Sequence, residues 1–374
     1  MTSLLIVAGE ASGDLHGARL LAAARRTMPE IEAFGLGGDE LAAAGFDAVA
    51  HSSEIAVVGI TEVLKVLGRA RQIFRQLLDE VERRRPKAAV LIDSPEFNLR
   101  LAKELHARGV RVCYYISPQI WAWRKSRVRT IARRVDRMWV LFPFEVEFYR
   151  GSGIEAVWVG HPLVDEVPVL PQVWDQGPPP AGEPYSVALL PGSRGSEIDA
   201  LLPTLLRSVE LLGRELPIRP FLVRAPTVPM SRLEEGMAAA GVRVEVVSDN
   251  RFDHLSRAHL TFCASGTATL ELGLLGAPLI VTYRVGRFTA LLAKLLLEVP
   301  RISLVNLVLG RHAVPELLQA EATPERLAGA ARELLLDPAR IAEMRRSLAE
   351  LRPRLGASGA AERAAAQLVE ELSR

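Results

Sequence analysis

The sequence has little cysteine, little lysine and no long uninterrupted apolar run. Its 374 residues contain two cysteines, Cys113 and Cys263, each inside an apolar run that predicts a buried strand. Because no Cys-x-x-Cys pair occurs, the sequence argues against a disulfide framework and against a zinc site. A stretch of about 18 apolar residues is also missing, so we expect no membrane-spanning helix.

An excess of either charge is missing too. Lys and Arg total 46 against 44 Asp and Glu, a formal net charge of +2. Nothing therefore indicates a nucleic-acid partner. The basic residues are almost all arginine, which suits bidentate contacts to phosphate. The chain starts on an apolar run with no basic segment or cleavage site before it, so we expect no signal peptide and a reduced, cytoplasmic location.

Short apolar runs alternating with helical patterns predict an α/β fold with parallel, doubly wound sheets. Such runs occupy 4–8, 88–92, 110–116, 138–142 and 156–159, and then 187–190, 221–223, 242–247, 260–263 and 279–282. The proline-rich stretch 169–184 predicts a linker. We therefore predict an N-terminal domain of 1–168 and a second domain of 185–352, which share an architecture without an internal sequence repeat.

Two loops of the first half carry candidate functional residues. Gly9 to Asp14 follows the first strand, but its glycines lie four apart, so it is not a Gly-x-Gly-x-x-Gly dinucleotide loop. Gly9 and Ser12 are predicted to bind a polar ligand at the helix N-terminus. The alternative is that Ser12 or Asp14 only caps the helix. Asp93 follows a buried strand and is a natural general base, with a helix cap again as the alternative.

Trp121 and Trp123 lie in the loop 117–124 beside proline and arginine. We expect Trp123 to contact substrate, although tryptophan is often only a core residue.

Two loops of the second half predict a nucleotide site. Ser193 and Arg194 follow one strand and precede a helix, where Arg194 could bind a diphosphate in a bidentate manner. Glu271 lies one turn into another helix and could accept hydrogen bonds from ribose hydroxyls. The loop before that helix contains Ser265, Gly266 and Thr267. Each loop alone is a weak signal, but two of them after parallel strands favour nucleotide binding.

Together these segments resemble the lipid-A-disaccharide synthase family, from about residue 4 to 319. The resemblance rests on the segments 9–14, 58–64, 92–98, 117–124, 142–145, 160–163, 191–194, 264–271, Asn306 and 314–316. It implies an inverting glycosyltransferase of GT-B architecture, with two Rossmann-like domains facing a central cleft. It also implies that the helix after about residue 353 packs back on the first domain.

The resemblance implies transfer of 2,3-diacylglucosamine from UDP to 2,3-diacylglucosamine 1-phosphate, which gives the β(1→6) disaccharide 1-phosphate and UDP. Asp93 matches the family's essential acid or base. Glu10, Arg194, Glu271 and Asn306 match residues important for activity or UDP binding, and Glu316 belongs to the last matching motif. The sequence departs from the family at Val305, where proline is usual. No Asp-x-Asp occurs, so we expect no divalent metal and no other cofactor.

Substrates with acyl chains predict contact with a membrane surface. One face of the helical segment 60–78 is apolar and flanked by basic residues, which is typical of a helix on anionic lipid. We predict that it meets the membrane through Val63, Val66, Leu67, Ile73 and Phe74. The commoner alternative is a core-packed helix with a solvated charged face. The sequence leaves open whether the protein is a monomer or a homodimer.

Three other functions remain open on the sequence alone. The same fold serves other UDP-sugar enzymes, namely polyprenyl-lipid transferases and UDP-N-acetylglucosamine 2-epimerases. A nicotinamide-dependent oxidoreductase is disfavoured by the missing Gly-x-Gly-x-x-Gly loop. A non-catalytic nucleotide-sugar sensor is disfavoured by Asp93 and Arg194.

Overall fold

The chain forms two compact units, in a computed structural model that describes residues 2–55, 63–123, 125–284 and 301–374. The side chains of residues 63–67, 122, 123 and 125 lie outside that description. The first unit comprises residues 1–162 and 355–374, and the second comprises 163–354. The boundary lies six residues before the predicted end of the first domain.

Within the described ranges, the first unit contains a seven-stranded parallel sheet in the order β3-β2-β1-β4-β5-β6-β7. Its strands are β1 (Thr2–Ala8), β2 (Ile31–Gly37), β3 (Asp47–His51), β4 (Ala88–Ile92), β5 (Arg111–Tyr115), β6 (Arg137–Val140) and β7 (Glu155–Trp158). Its helices are α1 (Ala11–Thr27), α2 (Asp39–Ala43), α3 (Val63–Arg84), α4 (Pro95–Ala107), α5 (Ile120–Trp123), α6 (Val128–Ala132) and α7 (Pro143–Tyr149).

In the described part of the second unit, six parallel strands follow the order β10-β9-β8-β11-β12-β13. They are β8 (Tyr185–Leu190), β9 (Ile218–Val223), β10 (Glu245–Val247), β11 (Leu260–Ala264), β12 (Leu279–Tyr283) and β13 (Glu316–Leu318). The helices are α8 (Leu163–Glu166), α9 (Gly195–Gly213), α10 (Met230–Ala240), α11 (Arg251–Ser256), α12 (Thr267–Leu275), α13 (Leu304–Leu309), α14 (Pro324–Leu335), α15 (Pro338–Ala349), α16 (Leu351–Leu355) and, in the first unit, α17 (Ala360–Ser373).

The apolar runs form the central strands for the reason that the sequence pattern suggests. All five residues of β4 and of β11 are buried, because helices cover both faces of a parallel sheet. Strands β2 and β3 escaped the sequence analysis. Glycine weakens the strand signal of β2, and β3 is short and only half-buried, so neither reads as a continuous apolar run.

The proline-rich stretch 169–184 is not a free linker. Trp174 is buried, and its Nε1 donates a hydrogen bond to the carbonyl oxygen of His259 at 2.8 Å. The carboxylate of Asp175 accepts a bond of 2.5 Å from Arg345. Proline disfavours regular structure but not burial, so the stretch packs as an irregular part of the second unit.

The C-terminal helix α17 belongs to the first unit, as the resemblance implied. Its Glu371 is buried between Arg111 and Arg137, with Arg137 Nε 2.7 Å from Glu371 Oε1. Lys87 Nζ donates to the carbonyl oxygen of Leu372 at 3.2 Å. These contacts join the end of the chain to the strands of the first sheet.

Candidate functional site

Each sheet changes the direction of its strand order at one point, and the predicted loops lie there. In the second unit, β8 pairs with β11 while the chain proceeds outward on either side. The loops after two such strands diverge and leave a crevice at the carboxyl edge of the sheet, where doubly wound proteins bind ligands. The loops 191–194 and 265–267 border this crevice.

A cavity of about 360 Å³ occupies this crevice. Its lining includes all six residues of the second unit predicted from the two loops, namely Ser193, Arg194, Ser265, Gly266, Thr267 and Glu271. The structure therefore brings together side chains that lie up to 78 positions apart in the sequence.

The first loop of this cavity is held by Glu197 in the first turn of α9. Its carboxylate accepts hydrogen bonds from the backbone N–H of Ser193 at 3.0 Å and of Arg194 at 3.2 Å. Gly192 has φ +121°, and a Cβ there would lie 2.5 Å from Glu197 Oε2, so only glycine fits. The Arg194 side chain is 76% exposed, and its Nη1 lies 3.4 Å from Glu197 Oε1. Such a loosely paired guanidinium is accessible to an anion.

The second loop presents a helix N-terminus to the cavity. Gly266 precedes α12, and among the described residues no side chain caps this helix. The loop is fixed by the Ser265 N–H, which donates to the carbonyl oxygen of Thr282 at 3.0 Å. The first N–H groups of α12 remain available for an anion at this point.

Glu271 is 13% exposed and faces a basic partner that the sequence analysis missed. Arg251 Nη2 lies 3.0 Å from Glu271 Oε1, and both residues line the cavity. Burial raises the pKa of Glu271, while the charge of Arg251 lowers it. No spacing rule connects two residues that lie on different helices, so this pair has no signal in the sequence.

Arg224 and Thr227 also line the cavity. The Thr227 hydroxyl donates to the carbonyl oxygen of Ser193 at 3.0 Å, which ties this loop to the first one. Both residues follow β9, so the rule that identified the other two loops could have found them.

Asn306 and Glu316 do not line this cavity; they hold the segment 302–316 together. Asn306 is fully buried. Its Nδ2 donates to the Val314 carbonyl oxygen at 2.8 Å and to Glu316 Oε1 at 2.7 Å. Its Oδ1 accepts from the N–H groups of Ala313 and Val314 at 2.7 and 3.0 Å. The amide has no hydrogen-bonding capacity left for a ligand, so the predicted role of Asn306 in activity or UDP binding would act through the segment that it holds.

Val305 is buried and is the second residue of α13. Proline is tolerated in the first turn of a helix because the N–H groups there need no intrahelical partner. Valine in place of the family's usual proline is therefore compatible with the same backbone.

In the first unit, Asp93 directly follows β4 and lies beside the loop after β1, because β1 and β4 are neighbours. Asp93 and Ser94 both have left-handed backbones, with φ of +48° and +43°. Gly9 lies against Ser94, whose Oγ would be 2.7 Å from a Cβ at Gly9. Glu10 and Ser12 are exposed at the start of α1. The structure thus places Gly9 and Asp93 together at the carboxyl edge of the first sheet.

Asp14 caps a helix, but not the helix α1 in which it lies. It is buried, and its carboxylate accepts hydrogen bonds from the N–H groups of Gly38 at 2.6 Å, Glu40 at 2.9 Å and Leu41 at 3.2 Å. It therefore caps α2, not its own helix.

The loop after β5 is anchored by a buried carboxylate. Trp121 Nε1 donates to Glu145 Oε1 at 3.2 Å, and Glu145 Oε2 accepts from the N–H groups of Leu141 and Phe142 at 3.2 and 3.0 Å. Burial raises the pKa of Glu145 to about 7 against the effect of these donors. Trp121 is therefore a core residue, while the side chain of Trp123 lies outside the described part.

The predicted membrane face of α3 is wrong at Ile73. Ile73 is fully buried in the core of the first unit, and Phe74 packs edge-on against Phe97 with the ring centroids 5.7 Å apart. The side chains of Val63, Val66 and Leu67 lie outside the described residues. The alternative of a core-packed helix therefore holds for the described turns of α3.

In the described ranges, no helix is both long and apolar enough to cross a membrane. No group of three or more His, Cys, Asp or Glu in those ranges could hold a metal ion.

Comparison with known proteins decides the family. The model for lipid-A-disaccharide synthetase matches residues 4–371. The chain belongs to the lipid-A-disaccharide synthetase family. A curated lipid-A-disaccharide synthase of Myxococcus xanthus is 44% identical over 99% of this chain and 97% of its own length.

Among solved structures, the calicheamicin glycosyltransferase CalG4 has a TM-score of 0.60 at 16% identity and covers 100% of this chain and 99% of its own. MnaA of S. aureus with UDP has a TM-score of 0.63 at 10% identity, covering 97% and 94%. These similarities confirm the predicted two-domain GT-B fold. Family membership confirms the predicted enzyme class, a glycosyltransferase of lipid A disaccharide synthesis.

Proposed function

We propose that the protein transfers 2,3-diacylglucosamine from UDP-2,3-diacylglucosamine to 2,3-diacylglucosamine 1-phosphate, with inversion, to give the lipid A disaccharide 1-phosphate and UDP. Family membership supports this reaction over a polyprenyl-lipid transferase or an epimerase. The observation that carries it is the cavity of the second unit, whose lining combines an exposed arginine, an uncapped helix N-terminus and a partly buried carboxylate. The arginine and the helix N-terminus suit a diphosphate, and the carboxylate suits the hydroxyls of a ribose.

In this proposal the second unit holds the nucleotide and stabilises the leaving group. As the glycosidic C–O bond to UDP breaks, negative charge grows on the diphosphate. The Arg194 guanidinium and the first N–H groups of α12 are placed to stabilise that charge. Glu271, fixed by Arg251, accepts hydrogen bonds from the ribose hydroxyls.

Asp93 acts as the general base. The 6-hydroxyl of the acceptor attacks the anomeric carbon from the side opposite UDP, and the Asp93 carboxylate takes its proton. General-base assistance is worth about 10²- to 10⁴-fold in rate. Glu10, Ser12 and Trp123 are proposed to contact the acceptor or the base.

The test is an assay of purified protein in detergent micelles with both lipid substrates, read by mass spectrometry. We expect the tetra-acyl disaccharide phosphate from the unaltered chain and at least a 10²-fold lower rate from Asp93→Asn. Asp136→Asn, just before β6 at the opposite edge of the same sheet, is the control and should retain activity. No product despite normal UDP binding would contradict the reaction and favour the sensor; full activity of Asp93→Asn would contradict the base.

Turnover is predicted to need no divalent metal, since arginine and helix N–H groups supply the positive charge in this proposal. Equal rates with EDTA and with added Mg²⁺ are expected. A rate that collapses in EDTA and returns with Mg²⁺ would contradict the prediction.

We also propose peripheral contact with anionic membrane through α3. The acyl chains of both substrates support this, as do Arg71 and Arg75, which are exposed on the described part of the helix. Because Ile73 is a core residue, a polar substitution there would destabilise the fold and would not test membrane contact. Arg71→Glu/Arg75→Glu should reduce flotation with anionic vesicles, whereas Arg207→Glu/Arg257→Glu in the second unit should not. Equal flotation of all three proteins would contradict the contact.

A further inference from the structure

The turn that carries Asp93 has an unfavourable backbone. Two successive non-glycine residues, Asp93 and Ser94, are left-handed, a conformation in which Cβ crowds the carbonyl oxygen. Ser94 also precedes Pro95, which disfavours helical backbone at the residue before it. Such strain persists only where the surroundings enforce it.

Two buried side chains enforce it here. Asn98 Nδ2 donates to the carbonyl oxygen of Ile92 at 3.0 Å and to that of Asp93 at 2.8 Å. The Tyr114 hydroxyl donates to the Asp93 carbonyl oxygen at 2.5 Å. Both side chains reach the turn from inside the protein, and Asn98 and Tyr114 are fully buried. Burial raises the pKa of Tyr114 well above its ordinary value, so its hydroxyl keeps the proton that it donates.

The Oδ1 atom of Asn98 shows that packing alone does not explain why asparagine occupies this position. Within the described part of the chain, the buried Oδ1 of Asn98 has no hydrogen-bond partner. A buried unpaired acceptor is unfavourable, and an apolar residue would avoid that cost. What the amide contributes is its pair of donated bonds to the turn.

We propose that Asn98 and Tyr114 are positioning residues for the reaction: they clamp the carbonyl oxygens of Ile92 and Asp93, hold the turn in its left-handed form and thereby fix the direction of the Asp93 carboxylate. This inference rests on the proposed role of Asp93 as base. It assigns no contact with substrate to either residue.

The test is a double-mutant cycle between the clamp and the strained backbone. Asn98→Ala should lower kcat on the order of 10²-fold, the size expected when a reacting group is displaced by about 1 Å. UDP affinity should stay within about twofold, because the nucleotide cavity lies in the other unit. Ser94→Gly removes the Cβ that makes the left-handed form costly, so in that background Asn98→Ala should cost roughly tenfold less. Equal losses in both backgrounds would overturn the proposal.

Two further variants separate positioning from general instability. Leu101→Ala leaves a cavity in the core beside the same helix and should lower Tm without lowering kcat below Tm. A loss of kcat as large as that of Asn98→Ala would overturn the proposal. Tyr114→Phe removes one hydroxyl only, and should lower kcat without changing UDP affinity; an unchanged kcat would remove Tyr114 from the clamp.

The Asp93→Asn background distinguishes failure of the positioning role from failure of the proposed base. In an Asp93→Asn background, Asn98→Ala should cause little further loss, since its effect passes through the carboxylate. A full further loss there would overturn the positioning role, whereas a fully active Asp93→Asn protein would contradict the base itself.

Discussion

A residue's chemistry names its candidate roles, and its contacts decide among them. Asn306 matches a functional position of the family, yet its amide is fully bonded to backbone groups and to Glu316. Asp14 suggests a cap of its own helix, yet its carboxylate accepts from N–H groups at α2. Arg251 has no motif around it, yet it pairs with Glu271 in the nucleotide cavity. The role of a polar residue therefore depends on its hydrogen-bond and ion-pair partners in the folded chain.

Asp14→Ala should destabilise the first unit by about 1–3 kcal/mol, because three N–H groups lose their acceptor and two of them are buried. Urea denaturation followed by circular dichroism measures this. Asp39→Ala is the control, since Asp39 is fully exposed and should change stability by less than about 0.5 kcal/mol. Equal effects of the two substitutions would refute the cap.

Arg251→Ala should weaken UDP binding on the order of tenfold, because Glu271 loses the partner that orients it and because positive charge leaves the cavity. Isothermal titration calorimetry with UDP measures the change. Arg257→Ala, an exposed arginine just after the same helix, should bind UDP normally. If both variants bind UDP like the unaltered chain, Arg251 has no part in the site.

At the scale of elements, the segments that follow neighbouring strands are joined to one another by buried side chains. The loop after β5 and the start of α7 meet at Glu145, which accepts from Trp121 and from two backbone N–H groups. One buried carboxyl therefore joins two neighbouring strand ends of the first sheet. Its protonation state should affect how firmly they are joined.

The free energy of unfolding should fall as pH rises from about 4.5 to 7 through this group. Burial raises the pKa of Glu145 from 4.5 to about 7, so the folded state binds its proton more tightly than the unfolded state in that range. The contribution is on the order of 2–3 kcal/mol. Urea denaturation at pH 5 to 8 should show this loss in the unaltered chain and in Glu147→Gln, an exposed control, but not in Glu145→Gln. A pH dependence that survives Glu145→Gln would disprove it.

At the scale of the whole molecule, the C-terminal helix α17 is joined to the first unit by hydrogen bonds and ion pairs. Glu371 of α17 is 3% exposed and pairs with Arg111 and Arg137, of which Arg137 is itself buried. Arg363 Nε donates to the Val159 carbonyl oxygen at 2.8 Å, and the His161 N–H donates to that of Leu355 at 2.9 Å. The first unit is therefore built from both ends of the chain.

Glu371→Ala should destabilise the first unit by about 1–3 kcal/mol, because the buried Nε of Arg137 loses its acceptor while Glu155 still pairs with Nη1 of the same guanidinium. Thermal and urea unfolding measure this. Glu370→Ala, which removes an exposed carboxylate one position earlier, should cost less than about 1 kcal/mol. Similar losses for both would show that the buried pair does not hold α17.

Much of the fold could be predicted because burial on both sides of a parallel sheet leaves continuous apolar runs in the sequence. Strands β4 and β11 were found in this way, and β2 was missed because glycines interrupt its run. The cavity residues of the second unit were predicted for a related reason: in parallel sheets, the loops after the strands all lie at the carboxyl edge, where ligands bind at the switch point.

By itself, the sequence determined the α/β class, the family and the two loops at each switch point, since local patterns and short motifs encode these. Only the tertiary structure decided which side chains are left for a ligand. It showed that Asn306 is fully bonded to its own segment, that Ile73 is a core residue, and that Arg251 faces Glu271. The physical reason is that hydrogen bonding and burial depend on neighbours distant in the chain, which no local spacing records.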